Sequence, residues 1–261
     1  MLKPSKILIT GGNGYIAKSI AKALGNKHNI VSITRKDFDL TNRYDTDKWF
    51  QNKHFDVVIH TAVKGGSRLT LDGSEVFHQN LQMFYNLYYN KAHFKKFIYF
   101  GSGAELGNPS DPYGLSKKII NDIIKYEHGF FNLRVFGVFD ENELDTRFIK
   151  ANIKNYINKK VITIHQNKQM DFFYMPDLIH IINEYIVGNA YTSLPKVTEC
   201  AYKEKIHLLD IAQFINSLSN HTVSINILDS SQGIPYIATT HPVRKFIGLK
   251  QGIQEIYNKL K

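Results

Sequence analysis

The chain has 261 residues, 43% of them hydrophobic, and a formal net charge of +10 at pH 7. This length and apolar content suffice for one large domain, or for a domain with a smaller lobe. No run approaches the roughly 18 uninterrupted apolar residues of a membrane span, and the N-terminus lacks a signal-peptide core. The single cysteine, Cys200, excludes an internal disulfide and suits a reducing compartment. The sequence therefore predicts a cytoplasmic protein without a membrane partner.

The positive charge is spread over the chain. The lysines occur as pairs, such as Lys95–Lys96, Lys117–Lys118 and Lys159–Lys160, and no basic helix or RNA-binding signature is present. We interpret this as a solvated lysine-rich surface, which predicts no nucleic-acid partner but suits a polyanionic small substrate such as a nucleotide. The histidines lack ligand spacing, so no metal site is expected.

Strand and helix patterns alternate through the first half of the chain. Apolar runs predict strands at 6–9, 30–34, 56–60, 97–100 and 133–136, and periodic segments predict helices at 15–24, 45–51, 75–92 and 113–128. This alternation predicts a Rossmann-like α/β fold, a doubly wound parallel sheet covered on both faces. After about Thr146 the alternation loosens, with helices expected near 147–158, 176–187, 208–218 and 251–260. We expect a first domain over 1–145 that holds the parallel sheet, and a smaller, mainly substrate-binding C-terminal lobe over 146–261, from which segments can return to the first domain.

Three glycines, Gly11, Gly12 and Gly14, lie between the first predicted strand and the first predicted helix. Glycine permits a tight turn and lets a pyrophosphate approach the backbone, and the helix N-terminus supplies free N–H groups. Ala17 takes the third small position, where the helix packs closely on the strand. A plain turn is the alternative, but at the head of a βαβ unit the pattern favours dinucleotide binding.

The residues after the second strand favour NADP(H) over NAD(H). NAD sites usually place an acidic residue here for the ribose hydroxyls, whereas NADP sites need a cation for the 2′-phosphate. Arg35 and Lys36 arrive at this place, and a guanidinium can bind phosphate through two parallel hydrogen bonds. Asp37 comes later and is the weaker candidate for the ribose. The alternative is that both cations are solvated loop residues.

Three polar residues follow the fourth predicted strand. Ser102 comes just after that strand, and Tyr113 and Lys117 are four residues apart, so they share one helix face. An ammonium beside a phenol stabilises phenolate and lowers the tyrosine pKa from about 10, so such a tyrosine exchanges protons near neutral pH. Each feature alone is common, and only their combination indicates a catalytic site.

A set of motifs in order resembles the extended short-chain dehydrogenases/reductases, the NAD-dependent epimerase/dehydratase family that acts largely on nucleotide sugars. The motifs are GGNGYIA, DVVIHTA, FGSGAELG, PYGLSK, LRVFGVF and DFFYMPD, and the resemblance covers almost the whole chain. It implies a catalytic triad of Ser102, Tyr113 and Lys117. It also implies that Asn80 supports the active-site region, with an ordinary polar helix residue as the alternative. The implied cofactor-binding residues are Gly11, Gly14, Tyr15, Ile16, Arg35, Lys36, Asp39, Leu40, Thr61, Ala62 and Lys117.

Departures from the family pattern narrow the reaction. The dehydratases carry Asp-Glu directly after the catalytic serine or threonine, but here Gly103 and Ala104 take these places. The chain resembles the GDP-fucose synthase branch most, yet the epimerising cysteine of that branch is Ala104 here and its histidine aligns with Arg147. Neither residue readily exchanges carbon-bound protons. The resemblance then implies NADPH-dependent reduction of a keto-sugar, expected to be a nucleotide-linked 4-keto-6-deoxy sugar, without epimerisation. Lys64, Ala104 and Arg147 are the expected substrate-binding residues.

Two other functions remain open on the sequence. One is a nucleotide-sugar C4 epimerase that retains its cofactor, because returning the hydride to the opposite face needs no further acid or base. The other is a non-catalytic NADP-binding or nucleic-acid-binding protein on the same fold, which would not require Tyr113. The usual family arginine before DF is Met170, so one substrate anchor is missing, and Arg147, Lys150 or Lys168 are candidates to replace it.

The predicted helices at 75–92 and 113–128 carry more apolar surface than one sheet contact needs. Family members commonly pack these two helices into a four-helix interface, so a homodimer is expected. The apolar residues that support this expectation are Val76, Phe77, Leu81, Phe84, Tyr85, Tyr88, Ile119, Ile120, Ile123 and Ile124.

Overall fold

The computed structural model describes residues 3–67, 70–107, 109–188 and 194–261. In chain order its elements are β1 (Lys6–Thr10), α1 (Tyr15–Leu24), β2 (Asn29–Ile33), α2 (Arg43–Phe50), β3 (Phe55–His60), α3 (Ser74–Tyr89), β4 (Phe94–Ser102), α4 (Pro112–Tyr126), β5 (Phe130–Val135), β6 (Val138–Phe139), α5 (Phe148–Ile157), β7 (Ile162–Gln166), β8 (Phe173–Tyr174), α6 (Met175–Val187), β9 (Val197–Cys200), α7 (Leu208–Asn216), β10 (Ile225–Asp229) and α8 (Leu249–Leu260). Among these described residues, no helix combines the length and apolarity that crossing a membrane requires.

The largest sheet has the strand order β2-β1-β3-β4-β5-β9. Strand β1 runs parallel to both β2 and β3, and β3 runs parallel to β4, with His60 opposite Tyr99. The order reverses at β1, from which the chain moves outward in both directions. This is the doubly wound, mostly parallel arrangement that the alternating pattern predicts, and it collects the carboxyl ends of the strands at one edge.

The chain forms two compact units. The first contains 1–134 together with 181–198, and the second contains 135–180 together with 199–261. The boundary between the two units falls earlier than the expected end of the first domain at residue 145. The reason is that β6 pairs with β8 of the second unit, with Val138 opposite Phe173. The segment 181–198 returns to the first unit.

Each unit has its own apolar core. In the first, α3 and α4 cover the sheet, and Phe97 stacks on Phe130 with ring centroids 4.8 Å apart. In the second, α5, α7 and α8 pack around the parallel pair β7–β10. Cys200 is fully buried, and burial raises the pKa of its thiol, so this residue fills space.

The boundaries of β4 differ from the expected 97–100. The strand starts at Phe94, because Phe94 already pairs with Phe55, and it continues to Ser102. Two lysines interrupt the apolar pattern, but both are accommodated: Lys95 Nζ lies 2.7 Å from an Asp56 oxygen, and Lys96 Nζ donates to carbonyls at the end of α6. The consequence for the site is that Ser102 is held by strand geometry.

Candidate active site

The glycine-rich turn between β1 and α1 closes tightly against the end of β3. Gly11 has φ +69°, and a Cβ built on it would lie 2.8 Å from the Ala62 Cα. The Gly12 N–H donates to the Ile33 carbonyl, and Gly14 takes the N-cap position of α1. The turn therefore requires glycine both for its backbone conformation and for the close approach of a neighbouring strand end. Ala17 is fully buried, as expected of the third small position.

A cavity of about 480 Å³ opens over this turn. The expected cofactor residues that line it are Gly11, Gly14, Arg35, Asp39, Leu40, Thr61 and Ala62. Lys64, expected to bind substrate, also lines it, whereas the described residues Tyr15, Ile16, Lys36 and Lys117 lie outside the lining. The sequence reasoning missed Asn13, Phe38 and Met83, which are lining residues too. Phe38 stands between Arg35 and Asp39, so its position in the same turn was the available signal.

The acidic residues of this turn are occupied by local hydrogen bonds. Asp37 accepts hydrogen bonds from the backbone N–H and the hydroxyl of Thr34. Asp39 accepts hydrogen bonds from the backbone N–H and the hydroxyl of Thr41. The Thr41 backbone N–H is the main cause that lowers the pKa of Asp39, and Arg35 makes a smaller contribution in the same direction. Since Asp37 stabilises the turn itself, Arg35 is the charged residue of 34–37 that faces the cavity. The lining fits a nicotinamide dinucleotide.

Ser102 ends β4 and begins a 3₁₀ turn over Gly103–Glu105. Its hydroxyl oxygen accepts a hydrogen bond from the Ala104 N–H at 3.2 Å, and the residue is buried. Helix α4 starts nearby: the Asp111 side chain caps it by accepting from the Gly114 N–H, and Pro112 takes the first turn. A Cβ at Gly114 would lie 2.6 Å from the Ala104 carbonyl oxygen, so the helix start packs directly on the serine turn.

Tyr113 and Lys117 lie together on α4. Lys117 Nζ donates to the Phe100 carbonyl at 2.7 Å, two residues before Ser102, and lies 5.5 Å from the Tyr113 ring centroid. Nζ also lies 4.5 Å from the ring centroid of Tyr99. Burial lowers the pKa of Lys117 to about 8, and the nearby Glu105 carboxylate opposes this shift. The structure thus places the ammonium between the end of β4 and the candidate catalytic phenol.

Asn80 connects α3 to this site. Its side chain accepts from the Lys64 N–H at 2.9 Å and donates to the Lys64 carbonyl and to the Ser116 hydroxyl. The Ser116 hydroxyl in turn donates to the Tyr113 carbonyl at 2.7 Å. The geometry is that of a residue that supports the site, and it argues against an ordinary polar position on a helix.

The loop after β3 contacts the Tyr113 ring directly. Gly66 has φ +75°, and a Cβ built on it would lie 2.7 Å from the Cε2 and Cζ atoms of Tyr113. The Gly66 N–H donates to the Asp72 carboxylate, which fixes this conformation. The backbone of Gly66 therefore forms one wall of the tyrosine site.

Two further expected residues lie in the second unit. Arg147 is exposed at the N-cap of α5, and Lys150 pairs with Asp145 at 2.9 Å. Met170 is buried in the core of this unit, and it borders a cavity of about 650 Å³. The cations that line this cavity are Lys203, Arg244 and Lys250, which the sequence reasoning did not single out.

The fold and the site define a nicotinamide-dependent enzyme of the short-chain dehydrogenase/reductase class, with serine, tyrosine and lysine at the end of one sheet. A family model described as "NAD dependent epimerase/dehydratase family" matches residues 7–187. The chain belongs to this family.

Curated relatives are distant but extend over most of the chain. The CDP-abequose synthase of Yersinia pseudotuberculosis is 22% identical, covering 84% of this chain and 87% of the relative. A bifunctional UDP-glucose 4-epimerase and UDP-xylose 4-epimerase of Arabidopsis thaliana is 24% identical over 87% of this chain and 73% of the relative.

Solved structures share the fold over nearly the whole chain. A GDP-6-OMe-4-keto-L-xylo-heptose reductase from Campylobacter jejuni superposes with a TM-score of 0.77 at 17% identity, covering 100% and 98% of the two chains. A GDP-L-fucose synthetase from Naegleria fowleri bound to NADP gives 0.78 at 17% identity, with 99% and 93% covered. A UDP-glucuronic acid 4-epimerase from Bacillus cereus with NAD gives 0.76 at 20% identity, with 97% and 98% covered.

Proposed function

We propose that this protein is an NADPH-dependent reductase of a nucleotide-linked keto-sugar, with a 4-keto-6-deoxy sugar as the expected substrate. The observation that carries the proposal is the position of the Lys117 ammonium, which lies 5.5 Å from the Tyr113 ring centroid. The ammonium also donates a hydrogen bond to the Phe100 carbonyl of β4, the strand that ends at Ser102. The names of a heptose 4-keto reductase, a fucose synthetase and an abequose synthase among the similar proteins support the substrate class.

The roles follow from the contacts. Gly11, Arg35 and Thr61 would hold the dinucleotide, whose nicotinamide would supply the hydride for the carbonyl carbon. Tyr113 gives its proton to the carbonyl oxygen, and the Lys117 ammonium stabilises the phenolate that this leaves behind. Ser102, whose oxygen is fixed by the Ala104 N–H, donates its hydroxyl hydrogen to the same carbonyl oxygen and orients it.

The preference for NADPH is supported by Arg35. It is the cation of the turn after β2 that lines the cofactor cavity, while Asp37 is engaged with Thr34. A guanidinium here would bind the 2′-phosphate, and Asp37, the other candidate for this place, is held by Thr34.

Reduction without epimerisation is supported by Ala104 in the serine turn and by Arg147. Ala104 carries only a methyl group, and a guanidinium has no acceptor for a proton. Neither can take a proton from the carbons beside the carbonyl. The second candidate function is a C4 epimerase that retains its cofactor, favoured by the 4-epimerases among the similar proteins. Serine, tyrosine and lysine would serve both reactions.

The experiment incubates the protein with NADPH and a panel of nucleotide-linked 4-keto-6-deoxy sugars. A reductase oxidises one NADPH for each sugar reduced, whereas an epimerase interconverts 4-hydroxy sugars with no net oxidation of the cofactor. Tyr113→Phe should lower turnover about 10²–10⁴-fold, the usual contribution of a positioned general acid, while NADPH affinity is retained.

Tyr126→Phe is the matched control, because Tyr126 lies on the same helix but is 91% exposed. It should keep wild-type turnover. Full activity of Tyr113→Phe would refute the catalytic assignment, and a protein without turnover on any substrate would favour the non-catalytic alternative.

A further inference from the structure

A buried charged cluster lies behind the serine turn. The Glu105 side chain is completely buried, and its Oε1 accepts from Arg134 Nε at 2.5 Å and from Asn132 Nδ2 at 2.8 Å. Asn132 Nδ2 also donates to the Asn121 side-chain oxygen at 2.8 Å. Burying a carboxylate is costly unless it is paired and hydrogen-bonded, and here both conditions hold.

The cluster joins β5 to the two elements that carry the candidate catalytic residues, the serine turn and α4. Glu105 belongs to the turn that Ser102 begins, and its Oε2 lies 3.4 Å from the Ser102 backbone nitrogen, which donates to it. Asn121 follows Lys117 by one helical turn on α4, and Arg134 lies on β5 beside β4. The cluster is packed so closely on β4 that a Cβ at Gly101 would lie 2.2 Å from Asn132 Oδ1 and 2.8 Å from Glu105 Oε2.

The groups that face Lys117 show what the Glu105 carboxylate does. Tyr99 on β4 and Tyr113 on α4 present their rings to the ammonium. His60 on β3 stacks on Tyr99, and burial together with the Lys117 charge lowers its pKa to about 3, so the imidazole is neutral. Glu105 is the group whose negative charge raises the pKa of Lys117 against the effect of burial. Without it, the buried ammonium would lose its proton at lower pH.

We propose that Glu105 is a positioning residue that supports the Lys117 ammonium beside Tyr113 and fixes the turn of Ser102, acting through the buried cluster with Arg134, Asn132 and Asn121. Burial raises the pKa of the Glu105 carboxyl, and the charge and hydrogen bond of Arg134 oppose that rise and favour the carboxylate. The inference rests on the proposed function only for its kinetic part, because the protonation of Lys117 can be measured without turnover.

The test follows the Lys117 side chain by NMR in protein labelled with [¹³Cε]lysine. The Lys117 resonance is assigned by its disappearance in Lys117→Arg, and its titration midpoint in the wild type is expected at about pH 8. Glu105→Gln keeps the size and one acceptor oxygen but removes the charge. It should lower the midpoint by roughly 1 pH unit, the low end of the effect of one neighbouring opposite charge. The basic limb of the pH–rate profile should move down with it.

Two variants keep the test decisive. Glu105→Gln/Arg134→Met removes both partners of the buried ion pair, so no guanidinium is left without its carboxylate, and the variant should show the same downward shift. Asp56→Asn removes a carboxylate from the Lys95 ion pair on the surface of the same unit and should leave Lys117 unchanged. A folded Glu105 variant with an unchanged or raised Lys117 midpoint would overturn the inference, as would a shifted midpoint with an unmoved basic limb. A shifted midpoint in a protein that reduces no keto-sugar would sink the proposed function alone.

Discussion

Replacing Gly66 with alanine should damage the chemistry far more than the fold. Gly66 has φ +75°, where an L side chain is strained by roughly 1–2 kcal/mol. Its new Cβ would lie 2.7 Å from two atoms of the Tyr113 ring, whereas ordinary contact begins at 3.4 Å. The ring or the loop must therefore move by 3.4 − 2.7, or 0.7 Å. Misplacing a catalytic group by about 1 Å can cost about 10²-fold in rate, so we expect turnover to fall roughly 10–100-fold.

Gly107 offers the matched control. Its φ is +70°, and a Cβ there would meet no atom of the described residues within 4 Å, so Gly107→Ala carries the same backbone strain without touching the tyrosine. Both variants should lose roughly 2–8 °C in Tm for the shared strain. The assay compares NADPH oxidation with a keto-sugar nucleotide, NADPH affinity and Tm for the two proteins. Equal turnover in folded Gly66→Ala and Gly107→Ala would refute the argument that Gly66 forms a wall of the tyrosine site.

Three further outcomes are expected. NADPH should bind more tightly than NADH by about 1–3 kcal/mol; Arg35→Ala should erode this preference, whereas Lys36→Ala should not, because Lys36 lies outside the cavity lining. Equal affinities for the two cofactors in a titration of the wild type would contradict the preference. Because burial lowers the pKa of Lys117 to about 8, turnover should be retained below that pH and fall as the pH rises through it; a rate that stays flat up to pH 10 would contradict this role. The protein should sediment as a homodimer at micromolar concentration, and Ile119→Glu, which places a charge on the half-buried face of α4, should sediment as a monomer. A wild type that sediments only as a monomer would count against the dimer.

The sequence was sufficient for the order of elements and for the glycine turn. Buried parallel strands produce short apolar runs, and covering helices produce a 3.6-residue period, so both are visible locally. The positive φ of Gly11 and its approach to Ala62 are what a phosphate-binding turn requires, and that requirement excludes other residues. Tyr113 and Lys117 could be paired because four residues along a helix bring side chains to one face.

The sequence does not predict where the Glu105 side chain lies or which residues it contacts. Glu105 lies one residue past the acidic positions of the dehydratases, and charged residues are seldom fully buried, so no local pattern predicts a buried carboxylate here. Its partners, Asn132 and Arg134, come 27 and 29 residues later and reach it only because β5 lies beside β4. Interactions of this kind depend on strand order, which local periodicity does not encode.

The apolar surface of α3 and α4 was similarly ambiguous. Of the residues that suggested a dimer face, Val76, Phe84, Ile120 and Ile124 are buried within the first unit. When a helix is apolar on more than one face, its periodicity does not tell which face meets the sheet. The half-buried residues that remain for an interface are Phe77, Leu81, Tyr85, Tyr88, Ile119 and Ile123.

Isotope transfer tests the central claim most directly. The protein would reduce its keto-sugar nucleotide once with NADPH deuterated at the transferable position in ordinary water, and once with unlabelled NADPH in deuterated water, and the products would be examined by NMR. Reduction without epimerisation predicts deuterium at the former carbonyl carbon in the first product and none on the neighbouring carbons in the second. Solvent deuterium on those neighbouring carbons would show that an acid–base pair other than Tyr113 and Lys117 acts there, and would contradict the proposed reaction.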